Sequence, residues 1–129
     1  MSGRVVHFEI PYDDGDRARG FYKEAFDWQL QKMPGMEYTL AGTGPTGDQG
    51  PTEAGFINGG LLAREESAAA GPVMVVDVPS IDSVLETIAQ LGGSTVVPKQ
   101  PVGDMGFTAY VRDTEGNVVG LWETAAPSS

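Results

Sequence analysis

The stretch from Val73 to Leu91 reads VMVVDVPSIDSVLETIAQL and contains the pattern of a strand followed by a helix. Val73 to Val78 is rich in β-branched residues and predicts a buried strand. Pro79-Ser80 interrupt this strand, and Gly92-Gly93 stand where a helix C-cap is expected. Between these borders, apolar residues recur at helical spacing on one face: Ile81, Val84, Leu85, Ile88 and Leu91.

The first part of the chain repeats this order. Val5 to Ile10 predicts a strand, and a helix is expected from about Asp16 to Phe26, with Asp14 or Asp16 as its N-cap. The helix faces stay in phase when the two parts are aligned. The aligned pairs are His7 with Val73, Ala18 with Val84, Tyr22 with Ile88 and Ala25 with Leu91. Three predicted strands follow each helix, so the chain is predicted to consist of two βαβββ modules.

These modules predict one α+β domain over residues 1–129. The first module is expected at about residues 4–63 and the second at about 72–124, with a small, polar linker at 64–71. Neither module alone can bury both faces of its sheet. We therefore expect the modules to pair about a pseudo-twofold axis, as a curled mixed sheet that encloses a cleft. The strands expected after the helices cover 28–33, 37–40, 55–63, 94–97, 106–112 and 117–124, with a flexible loop at 42–50.

Composition excludes several classes of function. The 129 residues include 8 Lys+Arg and 18 Asp+Glu, a formal net charge of −10. Because such a surface repels phosphate, we expect neither a nucleic-acid partner nor a membrane partner. No uncharged apolar run approaches the roughly 18 residues that span a bilayer, and the sequence predicts a cytoplasmic protein. The lack of cysteine excludes disulfides and thiolate metal sites, and the single histidine, His7, excludes any site with two histidines from one chain.

Three fragments of the chain carry a family resemblance. They are FYKEAFDW at 21–28, VDV at 76–78 and the turn VRDTEGN at 111–117. Together they resemble the vicinal oxygen chelate superfamily, the glyoxalase/bleomycin-resistance/dioxygenase fold, over nearly the whole chain. Asp27 departs from the glycine that the family usually has after this helix. The ending GLWE at 120–123 is most similar to a poorly characterised, glyoxalase-like branch of that family.

The resemblance implies where a metal ion would bind. Metal-dependent members take a His from the first strand, a His or Glu from the first strand of the second half, and a carboxylate from the last strand of each half. His7 fits the first position, but the second position falls on Val73. The last-strand positions fall on Gly120 and, for the first half, near Asn58, a weak ligand. We therefore expect no metal site and no cofactor.

Two carboxylates are candidates to replace a missing ligand. Because side chains alternate along a strand, Glu9 shares a face with His7, whereas Glu123 falls on the face opposite Gly120. His7 and Glu9 are also the candidate catalytic residues, with Glu9 as the partner that orients the ring; a solvated Glu9 and a non-catalytic His7 remain the alternatives. The expected ligand pocket consists of His7, Glu9, Asn58, Phe107, Tyr110 and Trp122.

The function expected from these observations is binding of a small, partly aromatic molecule, as the drug-binding members of the family do without a chemical step. The alternatives are a glyoxalase-like lyase or isomerase, or another enzyme, that uses an atypical site around His7 and Glu9, and a partner domain without a ligand. We also expect a homodimer, because the first helix offers Phe21, Tyr22 and Phe26 as more aromatic area than its own core face absorbs. The sequence names neither the ligand nor a reaction.

Overall fold

A computed structural model describes residues 3–126 of the chain as two compact units. The first module comprises Val6–Pro72, and the second comprises residues 73–126 together with residues 3–5. Each module contains one α-helix packed on one face of a four-stranded sheet with parallel and antiparallel pairs. Neither α-helix in this part of the chain is long and apolar enough to cross a membrane.

The first module begins with a strand and a capped helix. Its elements are β1 (Val5–Tyr12), α1 (Gly15–Phe26), β2 (Gln29–Lys32), β3 (Tyr38–Gly42), β4 (Thr46–Gly47), β5 (Gly50–Pro51) and β6 (Asn58–Ala63). The strand order is β2-β3-β6-β1, with β6 parallel to β1 and antiparallel to β3. The Asp14 carboxylate caps α1 by accepting from the Arg17 N–H at 3.0 Å, as one of the two predicted caps would. Asp27 ends the helix in the left-handed region, with φ 59°.

The second module repeats this order. Its elements are β7 (Val73–Asp77), α2 (Ile81–Gln90), β8 (Ser94–Val102), β9 (Gly106–Arg112) and β10 (Val118–Thr124), with the strand order β7-β10-β9-β8. Ser80 caps α2 by accepting from the Ser83 N–H at 3.2 Å. Gly92 follows the helix with φ 98°, a conformation that few residues other than glycine adopt. The predicted fold class of two βαβββ modules is confirmed.

Three local features differ from the sequence-based expectation. β8 extends to Val102, beyond the predicted end at residue 97, because an edge strand tolerates prolines and absorbs its irregular pairing as bulges. The loop predicted over 42–50 contains strand residues of the short β4–β5 hairpin. The exposure of Phe21 and Phe26 on α1, by contrast, agrees with the expectation that this helix carries more aromatic area than its core face absorbs. In α2, Leu91 is exposed at the C-cap although it shares the predicted apolar spacing.

The border between the units lies at Pro72. Residues Arg64–Glu66, at the start of the predicted linker, form a short 3-10 helix. The Arg64 guanidinium donates to the Asp13 carboxylate at 2.8 Å and to the Ala70 carbonyl. These contacts fasten the segment after β6 to the loop between β1 and α1.

Candidate functional site

The sheet of the first module has an apolar face beneath α1 and a polar face away from it. Alternate residues of β1 pack into the core with α1: Phe8, Ile10 and Tyr12. His7 and Glu9 alternate with them and lie on the face without a helix. On β6, Asn58 pairs with His7 and Gly60 pairs with Glu9. The two candidate catalytic residues therefore share a face, as the alternation predicts.

A tyrosine from β3 joins the two candidate residues. The Tyr38 hydroxyl lies 2.7 Å from Nε2 of His7 and donates to Oε2 of Glu9 at 3.3 Å. Glu9 is only 8% exposed, so its carboxylate needs polar partners to offset the loss of water. The three side chains form one hydrogen-bonded group on the helix-free face.

Gly60 makes this arrangement sterically possible. The Tyr38 ring crosses β6 directly above Gly60, and a Cβ at this position would overlap the phenol oxygen and ring carbons. The neighbouring Gly59 is covered by the ring of Phe8 on the other face. Tyr38 is not among the site residues that the sequence predicts. A glycine within a strand, next to a strand that contains a tyrosine, is the sequence signal that could have identified Tyr38.

The electrostatic environment keeps His7 neutral. Partial burial lowers the pKa of the imidazole below its usual 6.5, and the negative charge of Glu9 opposes this effect without reversing it. A neutral imidazole carries one N–H and one nitrogen lone pair. At neutral pH, His7 can therefore both donate and accept a hydrogen bond.

The side chain of Asn58 has a local structural role. Its Oδ1 accepts from the Thr43 N–H at 2.9 Å, and its Nδ2 donates to the Thr46 hydroxyl, also at 2.9 Å. These bonds hold the loop that follows β3 against the start of β6. Asn58 lies next to His7 in the sheet register, but its amide fastens this loop.

The second module presents two aromatic side chains on its own helix-free face. Trp122 pairs with Thr108 and Tyr110 pairs with Gly120 across β9 and β10. The indole of Trp122 lies over Gly106, where a Cβ would come too close to the ring, and its Nε1 donates to the Thr124 hydroxyl at 3.1 Å. These contacts hold the indole in one orientation.

Phe107 lies on the other face of β9. It packs against the core beneath α2, and the Lys99 ammonium sits 4.5 Å from its ring centroid. Glu123, its partner in the register, accepts from the Ile81 N–H at 2.8 Å and lies 3.7 Å from the same ammonium. These residues stabilise the start of α2. The structure therefore separates Phe107 from the face that holds Tyr110 and Trp122.

The donor groups do not fit the metal-ligand set that the resemblance implies. Within residues 3–126, no group of three His, Asp or Glu side chains is placed to hold a metal ion. Val73 is a buried apolar residue and Gly120 has no side chain. The His7 nitrogen Nε2 contacts the Tyr38 hydroxyl. Two of the positions that the resemblance implies as metal ligands therefore carry no donor side chain.

Comparison with known proteins gives consistent matches. Residues 4–44, which include His7, Glu9 and Tyr38, match the family model described as bleomycin resistance protein-like N-terminal. A "Glyoxylase-like domain-containing protein" of Didymella fabae is 27% identical over 124 residues, which cover 91% of each chain. A Mycobacterium tuberculosis protein named "Putative glyoxylase CFP32" is 25% identical over 123 residues, 89% of this chain and 43% of that protein. The chain thus spans less than half the length of this mycobacterial relative.

A solved structure has the same fold. The methylmalonyl-CoA epimerase of Streptomyces coelicolor, in complex with 2-nitronate-propionyl-CoA, superposes with a TM-score of 0.64 at 18% identity, covering 100% of this chain and 99% of that chain. The family model, the glyoxylase-like relatives and this structural neighbour agree with the βαβββ modules described above. Together these matches indicate the vicinal oxygen chelate superfamily, which includes the glyoxalases and the bleomycin resistance proteins.

Proposed function

We propose that this chain binds a small, partly aromatic molecule on the helix-free face of its first module, without a metal ion. The observation that carries this proposal is the hydrogen-bonded group of His7, Tyr38 and Glu9. An imidazole, a phenol and a poorly exposed carboxylate are costly to place together away from bulk water. Folding alone does not require them, because the core of the module lies on the opposite face. Convergent polar groups on such a surface are typical of a ligand site.

Charge narrows the class of ligand. The structural neighbour binds a CoA derivative, which supports a small-molecule ligand here. The net charge of −10, however, disfavours a ligand with several phosphate groups. We therefore favour a neutral or weakly acidic molecule over a CoA thioester.

The metal-free part of the proposal rests on donor chemistry. His7 occupies the first ligand position of the family, but Val73 and Gly120 offer no donor at two of the others. One neutral imidazole binds a divalent cation weakly. The Glu9 carboxylate, which could have assisted, accepts from the Tyr38 hydroxyl.

The sequence also predicts Tyr110 and Trp122 as ligand contacts. Each ring lies beside a glycine on the helix-free face of the second module, and the part of these rings in binding stays a prediction. Phe107 is not included among the proposed ligand contacts because it packs in the core beneath α2. Asn58 is left out as a direct ligand contact because its amide holds the loop after β3.

A thermal-shift screen of a small-molecule library tests the binding function. A ligand present at 100 times its Kd stabilises the folded state by about 2.7 kcal/mol. For a domain of this size that corresponds to a rise in Tm on the order of 10 °C. We expect hits whose shift is reduced in Tyr38→Phe and retained in the matched control Tyr22→Phe, since Tyr22 packs on the opposite face. Hits that are insensitive to both substitutions would place the ligand elsewhere.

A second candidate is a metal-free lyase or isomerase that uses the same residues. The observation that favours it is a neutral imidazole hydrogen-bonded to a phenol that is itself bonded to a carboxylate, which is a chemically competent proton acceptor. Incubating each screening hit with the protein in deuterated water separates the two functions. An enzyme would convert a hit or exchange a carbon-bound proton of the hit for deuterium, and His7→Gln would abolish this reaction. A binding protein would return every hit unchanged.

A further inference from the structure

Tyr38 lies at the start of its strand, where its position needs support. It is the first residue of β3 and follows the turn that joins β2 to β3. The Met33 N–H donates to the Tyr38 carbonyl at 2.9 Å and closes this turn. Strand ends open more readily than strand centres. The distance of 2.7 Å between the phenol oxygen and Nε2 of His7 therefore depends on what holds the start of β3.

The residues on either side of Tyr38 are bound by side chains from the helix side of the sheet. Oε2 of Glu37 accepts from the hydroxyl of Tyr12, a core residue beneath α1, at 3.3 Å. The Thr39 hydroxyl accepts from the guanidinium of Arg19, a residue of α1, at 3.1 Å. Because Thr39 is fully buried, its hydroxyl needs a polar partner, and Arg19 supplies a charged one. These two bonds bracket Tyr38 in the chain.

Arg19 connects the two bonds. Its guanidinium lies 5.9 Å from the centroid of the Tyr12 ring, over the ring face. Asp16, in the first turn of α1, accepts from Nη2 at 2.7 Å and fixes the direction of the side chain. Gly15 leaves space for the guanidinium, since a Cβ there would lie 2.9 Å from Nη1. One side chain thus ties the first turn of α1 to the strand that carries Tyr38.

We infer that Arg19 is a positioning residue for the binding site. Through Thr39 it holds the start of β3 from the helix side, and so keeps the Tyr38 hydroxyl in contact with His7 on the helix-free face. This inference rests on the proposed function, because it assigns a role in the same site to a residue of α1. Its consequence is that the loss of a bond on one face of the sheet disturbs a contact on the other face.

The single histidine gives a spectroscopic readout of this contact. In protein labelled with nitrogen-15, the imidazole signals of the two-bond proton–nitrogen spectrum come from His7 alone, and Tyr38→Phe defines their positions without the phenol. Arg19→Met keeps the apolar stem of the side chain and removes its donors. We expect Arg19→Met to move the His7 signals in the same direction as Tyr38→Phe, and to reduce the thermal shift of the hits that Tyr38→Phe weakens. Arg19→Lys, which retains one charged donor group, should move the signals less.

The matched control is Arg17→Met, because Arg17 is an exposed arginine of the same helix. This substitution removes the same charge and the same donors from α1. We expect it to leave the His7 signals at their wild-type positions. If Arg17→Met moved them as far as Arg19→Met, the effect would come from the charge of the helix, and the inference would be overturned.

A purely structural role of Arg19 gives a different result. Arg19→Met would then lower the denaturant midpoint but leave the His7 signals at their wild-type positions in fully folded protein, and this outcome would overturn the inference. Thr39→Val removes the accepting hydroxyl and keeps the branched shape, so it tests the same bond if Arg19→Met does not fold. Unmoved His7 signals in Thr39→Val would overturn the inference as well. If the signals move as expected while the library screen gives no hit on this face, the proposed function fails and the positioning role stands.

Discussion

The ring of Tyr38 lies across Gly60, so that a phenol from β3 reaches over β6 to His7 and Glu9 on β1. The polar group thus joins side chains of β1 and β3 across β6, at the position where Gly60 has no side chain. The arrangement depends on steric space at Gly60, and several testable consequences follow from that dependence and from the burial of His7.

Gly60→Ala should disrupt the polar group while leaving the fold intact. The new methyl group would overlap the phenol, and the Tyr38 ring can respond by rotating away from His7. We expect a loss of about 1–2 kcal/mol in the free energy of unfolding, from lost hydrogen bonds, and a loss of ligand-induced thermal shift. Denaturant unfolding and the library screen measure the two effects.

The control for this substitution is Gly20→Ala. Gly20 lies inside α1 with open space where a Cβ would stand, so alanine should stabilise the chain by about 0.5–1 kcal/mol. If Gly60→Ala retained the wild-type ligand-induced thermal shifts, steric space at Gly60 would not be what the site requires.

His7 should make stability depend on pH below neutrality. Burial lowers the pKa of the folded imidazole below the usual 6.5, so in mildly acidic solution the unfolded chain binds more protons than the folded chain. The free energy of unfolding should therefore fall as the pH drops below about 6.5 and level off below the folded pKa.

The measurement is denaturant unfolding at several pH values between 8 and 5. His7→Gln, whose side-chain amide can still donate to the Tyr38 oxygen, should lose this slope, because the chain has no other histidine. If both proteins showed a slope of equal size, the pH dependence would come from other groups, such as the carboxylates.

Glu123 should contribute to stability and not to ligand binding. Its carboxylate accepts from the first N–H of α2 and lies near Lys99, so it acts as a helix cap from a neighbouring strand. Glu123→Ala should cost about 1–2 kcal/mol of unfolding free energy. The exposed Glu86→Ala on the same helix should change it by less than about 0.5 kcal/mol. If Glu123→Ala lost ligand binding under conditions in which the protein is fully folded, this assignment would be contradicted.

We propose a homodimer that uses the exposed aromatic surface of α1. Phe21 and Phe26 are 59% and 58% exposed, and their rings contact each other edge to face. Apolar area of this kind is typical of an interface. Light scattering at micromolar concentration and moderate salt should give about twice 13.6 kDa. Phe21→Ser should lower this mass, and the exposed Leu91→Ser of the second module should not. A mass near 13.6 kDa at every concentration would exclude the dimer.

Much of the fold was predictable because it depends on local patterns. The apolar spacing of α2 and its Ser80 cap define the helix, and the glycine at position 92 defines its end. Alternation along β1 likewise predicts that His7 and Glu9 share a face. These features follow from chain geometry within about one element.

The site was less predictable because it depends on contacts between strands that are distant in sequence. Tyr38 lies 31 residues from His7 and approaches it only over Gly60. Phe107 was expected beside Tyr110, but an odd spacing along a strand places the two side chains on opposite faces. Asn58 was expected to face a ligand, and its local partners in the loop after β3 could not be derived from composition.

The most direct test of the central proposal is a high-resolution crystal structure of protein purified without chelator and soaked with the strongest hit from the thermal-shift screen. We predict ligand density within hydrogen-bond distance of the polar group of His7, Tyr38 and Glu9, and no metal ion at this site. A divalent cation bound to His7, or a ligand that makes no contact with the helix-free face of the first module, would contradict the proposal.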